Sequence, residues 1–162
     1  MALFLFMVGL FLAIAGAAIC VVGAGIGSIM GVGRAGQAGS GVVSEEPEKF
    51  GKVLLLQALP STQGIYGFIG TFWVIIKLGL LSGNMPDITW QTGLMIFAAC
   101  LPVTINGLIS SLYQAKVSIS GMNILVKQPQ DAGKGVIMAA MVETYAVLGL
   151  LATILLIQGI KI

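Results

Sequence analysis

One carboxylate stands by itself in an apolar stretch of this chain. Glu143 lies nine residues after Lys134 and eighteen before Lys161, roughly 14 and 27 Å along a helix. A carboxylate at that depth in lipid costs at least about 2.5 kcal/mol, so such a residue is a functional candidate by default and needs a partner. No buried Lys or Arg is available to pair with it. A proton, a bound cation or polar neighbours must therefore cancel its charge.

Counting from the prolines that mark the turns finds those neighbours. Gln114 stands fifteen residues before Pro129 and Glu143 fourteen after it, which puts both about 21 to 23 Å up their helices. Gln63 stands sixteen residues beyond Pro47 and reaches nearly the same level. On its helix Leu59, Thr62, Gln63 and Tyr66 share an arc of about 100°. Pro60 lacks an N–H and pushes on the preceding turn, which loosens the carbonyls nearby. A carboxylate, two amide oxygens, a hydroxyl and a loosened carbonyl form an oxygen-only set carrying a single negative charge. That set suits Na⁺ better than Ca²⁺ or Mg²⁺, and a site serving only protons needs no such shell. The plainer alternative is that Thr62, Gln63 and Gln114 tie helices together by hydrogen bonds.

Other chemistries lack their residues. The chain has no His, and Cys20 and Cys100 both sit inside apolar stretches, where they read as small packing residues rather than a disulfide or zinc site. There is no phosphate-binding Gly-x-x-x-x-Gly-Lys-Ser/Thr loop. Eight Lys and Arg against six Asp and Glu, with no basic run, give no reason to expect nucleic acid.

The elements that must position these residues are membrane spans. Of 162 residues, 57% are hydrophobic and 9% charged, against about 25% charged in a soluble domain, so a soluble monomer is excluded and lipid is the expected solvent. The charges divide the chain into four apolar blocks, Ala2 to Gly33, Val53 to Ile76, Ile88 to Ala115 and Gly135 to Ile160, each longer than the roughly 20 residues that cross a bilayer as helix. The expected fold is an all-α membrane protein of four transmembrane helices in two hairpins. Residues 1–83 hold spans at about 2–39 and 50–80, and residues 84–162 hold spans at about 88–126 and 132–160. The first block lacks a basic n-region and is too long for a secretory signal, so it is expected to stay as a mature helix. The connections are expected at Ser40 to Phe50, at Ser82 to Asp87 with Asn84 and Pro86, and around Pro129. Arg34, Lys49, Lys52, Lys116, Lys127 and Lys134 flank the first and third connections, whereas Lys77 and Lys161 are the cations of the other side. The excess places both of those connections in the cytoplasm and both termini outside. Trp73 and Trp90 then fall at the outer interface, where indoles settle.

An offset of 82 residues superposes the two halves without a gap. It pairs Ser28 with Ser110, Arg34 with Lys116, Pro47 with Pro129, Gly51 with Gly133, Lys52 with Lys134 and Thr62 with Thr144. Each repeat holds two spans, so the copies are parallel, unlike the inverted repeats of many transporters. Glu143 aligns with Ser61, which leaves one membrane carboxylate for two hairpins. In the first span Gly23, Gly27, Gly31, Ala35 and Gly39 recur every four residues and line one face with small side chains. Such a face serves either packing inside the chain or the crowded inner wall of a ring.

Four runs carry a resemblance: Pro47-Glu48-Lys49-Phe50-Gly51, Leu59-Pro60-Ser61-Thr62-Gln63-Gly64-Ile65-Tyr66-Gly67, Gln114 with Lys116, and Met141-Val142-Glu143-Thr144-Tyr145-Ala146. Over essentially its whole length the chain resembles the K subunits, or proteolipids, of bacterial sodium-translocating V-type ATPases, duplicated relatives of the F-type proteolipid. The resemblance implies a homo-oligomeric rotor ring, with the first and third helices inside and the second and fourth outside. It implies Na⁺ as the transported ion, held by the Leu59 carbonyl, Thr62, Gln63, Gln114 and Glu143, with Tyr66 hydrogen-bonded to the carboxylate. It further implies a stator subunit presenting an Arg, a central stalk meeting the cytoplasmic loops, and a subunit that is not itself the ATPase. Proton-pumping relatives generally lack the paired glutamines. Ser61, where a glycine is usual, is the one local departure, and its phase points away from the ligand arc. Two alternatives remain at this point: a proton-carrying proteolipid of the same machine, and a small multidrug transporter, which would surround its lone Glu with aromatics for organic cations.

Overall fold

The computed structural model describes residues 2–83 and 86–162, with side chains from residue 7 onward; Asn84 of the second expected connection lies outside the described residues. Helix α1 spans Ala2–Glu45, and after a short 3-10 turn at Pro47–Lys49 comes α2, Phe50–Ala58. A second 3-10 turn, Leu59–Ser61, joins α2 to α3, Thr62–Lys77. The connection after α3 holds a third, Leu80–Ser82, and leads to α4, Trp90–Lys127; a fourth, Pro129–Asp131, leads to α5, Ala132–Gly159. No strand occurs among the described residues. Helix is what an apolar chain in lipid must form, because each backbone N–H and C=O has to find its partner within the segment.

Among the described residues, three helical stretches are long and apolar enough to cross a membrane, Met7–Glu45, Trp90–Lys127 and Pro129–Gly159. The rod from Phe50 to Lys77 is split by the turn at Leu59–Ser61, where Pro60 withholds an N–H and the Thr62 N–H bonds to Leu59 O. Helix α1 has 44 residues and α4 has 38, about 66 and 57 Å of rod. Both exceed the roughly 30 Å of a hydrocarbon core.

One expected connection is much shorter than its composition suggests. The helix continues through Ser40 and ends at Glu45, so the link to α2 is Glu46 and the turn after it. Val42 and Val43 pack on the cluster of Ala35, Val53, Leu56, Met122, Leu125 and Ala132, and this packing holds a Gly- and Ser-rich segment helical against its weak intrinsic propensity. The link from α4 to α5 has the same form. Glu46 and Gln128, 82 residues apart, have φ/ψ of −135°/78° and −142°/77°. Each accepts from the N–H three residues on, Lys49 to Glu46 O at 3.0 Å and Asp131 to Gln128 O at 2.9 Å. The C-terminal end of α3 stops differently, with Gly79 left-handed at φ 66°, a conformation glycine adopts without the penalty of a Cβ.

The small-residue stripe of α1 is used inside the chain. A Cβ on Gly27 would come within 2.7 Å of Leu108 Cα on α4, and one on Gly31 within 2.7 Å of Ser111 Oγ and 2.8 Å of Pro60 Cβ. Cys20 and Cys100 are fully buried free thiols in the same seam, as packing residues should be. Trp73 packs on one apolar cluster and Trp90 begins α4, 42% exposed. That cluster runs from Ala13 and Ala17 through Val74, Cys100 and Val103 to Ile157, and the cluster around Leu56 and Met122 lies at the other end. Polar residues, among them buried Gln63, Ser111 and Gln114, fill the level between them.

Candidate ion-binding site

That level holds every residue singled out for ion binding. The 3-10 turn brings Leu59 and Thr62 together: Thr62 Oγ1 has Leu59 O at 3.2 Å and Gln63 Oε1 at 3.4 Å, either of which can accept its one proton. Gln63, one residue into α3, is fully buried, and its Nε2 donates to Oε1 of the equally buried Gln114 on α4 at 2.6 Å. Gln114 Nε2 reaches Glu143 Oε2 on α5 at 3.4 Å. Tyr66, one turn along α3 from Gln63, donates its hydroxyl to Glu143 Oε1 at 2.5 Å. A single connected chain therefore runs Leu59, Thr62, Gln63, Gln114, Glu143, Tyr66 across three helices.

Glu143 is half-buried and receives these two neutral donors. The ion pairs among the described residues are Lys49 with Glu46 at 2.5 Å and Lys134 with Asp131 at 2.9 Å, both at the turns. Neither reaches Glu143. Glu143 is the one acidic side chain in this chain of contacts, so the oxygens gathered here carry one formal charge at most. Ser61 points its hydroxyl to Ala58 O at 2.6 Å, away from the chain of contacts, as its phase requires. Tyr145 is 67% exposed and makes no part of it.

Two serines outside the expected set belong to the surroundings of the site. Ser28 on α1 accepts from the Gly64 N–H at 2.8 Å and donates to Ser61 O at 3.2 Å, and Ser111 on α4 donates to Pro60 O at 2.7 Å. The signal available for them in the sequence was their place on small-residue helix faces at the level of Pro60. Which carbonyl each hydroxyl meets depends on how the helices are turned toward each other.

A paired helical body with one membrane carboxylate, backed by buried amides and a broken helix, defines a proteolipid-type membrane subunit. The sequence signature of the ATP synthase C subunit matches residues 15–74 and again 97–156, with both ends of the second match 82 residues beyond those of the first. The chain belongs to the ATP synthase C-subunit family. It is 44% identical over 92% of its length, and 92% of the relative's, to the V-type sodium ATPase subunit K of Enterococcus hirae. It is 36% identical over 93% of its length, and 64% of the relative's, to the A-type ATP synthase subunit K of Methanocaldococcus jannaschii. It is thus a non-catalytic membrane subunit of an ATPase complex, and the small multidrug transporter loses its support.

Proposed function

We propose that this chain is the Na⁺-carrying subunit of a rotor ring in a rotary V-type ATPase. The observation that carries the reading is the continuous contact from Gln63 through Gln114 to Glu143, which gathers at one level an oxygen set with one negative charge. Na⁺ would be held by Glu143, Gln63, Gln114, Thr62 and the Leu59 carbonyl, with Tyr66 fixing the carboxylate. The name of the Enterococcus relative, a sodium ATPase subunit, supports the choice of ion. The chain would cross the bilayer four times as two parallel hairpins, 1–83 and 84–162. Its turns at Pro47 and Pro129 would face the cytoplasm and the central stalk, with its termini outside.

The mechanism follows from the cost of charge in lipid. A carboxylate paired with Na⁺ is neutral overall and can travel through the hydrocarbon, whereas the bare anion cannot. Tyr66 and Gln114 hold the carboxylate oriented, so ion release does not require the site to rebuild. At a stator subunit presenting an Arg, the cation would exchange with an aqueous half-channel. ATP hydrolysis elsewhere in the complex would turn the ring.

Hydrophobic carbodiimide tests this directly, because it attacks the protonated acid. Na⁺ should protect Glu143 from labelling in membranes carrying the complex. Equal labelling with and without saturating Na⁺, at a pH where the acid still reacts, would transfer the assignment to a proton carrier.

A further inference from the structure

We infer that Ser28 and Ser111 are positioning residues for the cation, acting as a two-sided clamp on the 3-10 turn at Leu59–Ser61; this rests on the sodium reading above. Pro60 breaks the helix beside three of the proposed ligands. A broken helix has backbone groups to satisfy, and in lipid no water does it. Here two neighbouring helices supply the partners. From α1, the Ser28 hydroxyl takes the Gly64 N–H at 2.8 Å and gives its own proton to Ser61 O at 3.2 Å. From α4, the Ser111 hydroxyl gives its proton to Pro60 O at 2.7 Å. Ser111 is fully buried and Ser28 is 8% exposed, so these bonds face little competition from solvent. Gly31 lets α1 come close enough, since a Cβ there would strike both Ser111 Oγ and Pro60 Cβ.

The clamp bears on ions because of what lies within two residues of it. Leu59 precedes the clamped carbonyls, and Thr62 and Gln63 follow them and precede the clamped Gly64 N–H. The orientation of the Leu59 carbonyl, and the offset between the Thr62 hydroxyl and the Gln63 amide, are set by the turn that Ser28 and Ser111 hold. A turn held from two sides keeps its oxygens at fixed spacing, and spacing is what discriminates among monovalent cations of different radius. Partners that orient metal ligands typically contribute about 10- to 100-fold to affinity. Neither serine touches the ion in this arrangement, and each acts through the backbone of the turn.

The test compares the wild-type complex with Ser28→Ala, Ser111→Ala and the double variant in native membranes, reading carbodiimide protection of Glu143 by Na⁺, Li⁺ and K⁺. The double variant should need about 10-fold or more Na⁺ for half-protection, and its preference for Na⁺ over Li⁺ and K⁺ should narrow by about threefold or more. A merely structural loss would weaken all three ions in proportion and leave the ratios unchanged, which overturns the inference. So would wild-type protection in all variants. Because the serines lie on different helices, the single variants carry the same comparison where the double variant fails to assemble. Protection missing already in the wild type would instead bring down the sodium reading, and the clamp with it.

Discussion

The two hairpins share a plan but divide the work. At the same position, 82 residues apart, one carries Ser61 and the other Glu143; one carries Gln63 and the other Tyr145; one carries Val32 and the other Gln114. The first hairpin's second rod is broken at Leu59–Ser61, whereas its counterpart α5 runs unbroken through 28 residues. Even matched residues are used differently. Thr62 and Thr144 both donate to the carbonyl three residues back, Leu59 O at 3.2 Å and Met141 O at 2.8 Å, but Thr62 feeds the polar chain and Thr144 is exposed. Ser28 makes two bonds to the broken rod, while its counterpart Ser110 has only a 3.5 Å contact to Gly107 O within its own helix. The difference teaches that the proposed binding unit would need both hairpins, with the broken turn and one amide from the first, and the carboxylate with the other amide from the second.

Removing the second hairpin's charge breaks the division most severely. Glu143→Gln should abolish ²²Na⁺ binding and Na⁺ transport while leaving the complex assembled, since an amide keeps the shape but cannot neutralise the cation. Next comes the amide pair that joins the halves. Replacing Gln63 and Gln114 together by Leu should weaken Na⁺ binding by roughly two to four powers of ten, at about 1.5 to 3 kcal/mol for each contact to a charged group. Sodium affinity within threefold of wild type would mean that the glutamines only tie helices together. The smallest and most discriminating contrast lies between the threonines. Thr62→Ala should weaken Na⁺ about tenfold, the effect of about 1.4 kcal/mol, while Thr144→Ala should leave Na⁺ titrations unchanged. Equal effects of the two would show that the hairpins are not specialised in this way.

The level of the polar residues was legible because helical rise is constant: counting from Pro47 and Pro129 put Gln63, Gln114 and Glu143 at one height, and their side chains meet there. The repeat was legible because Pro47 and Pro129 open the two matching turns and Lys52 and Lys134 fall in the first turn of the helix after each. Turn boundaries were less so. Ser40 to Glu45 has the composition of a loop, but Val42 and Val43 are held against the cluster of Leu56 and Met122 by tertiary packing that no local pattern records. The bonds of Ser28 and Ser111 depend on the azimuth of α1 and α4 about the broken rod, and residue spacing leaves that rotation free. The small-residue stripe allowed two uses, and the close approach of Gly27 and Gly31 to α4 and Pro60 shows the intramolecular one.

The lengths of the helices bear on how force would pass through the molecule. Between Glu45 and the level of Ser28, α1 has no proline, and between Lys127 and Gln114 neither does α4. Each is a continuous elastic rod extending beyond the bilayer core, stiff in torsion because every turn is hydrogen-bonded to the next. The rod from Phe50 to Lys77 changes its winding at Leu59–Ser61, level with the carboxylate, where Ser28 of α1 and Ser111 of α4 are bonded to it. A twist applied at the turns would therefore travel up α1 and α4 with little loss and reach the turn where the oxygens gather through those serine bonds, so that the two long helices act as a shaft and the serines as its key.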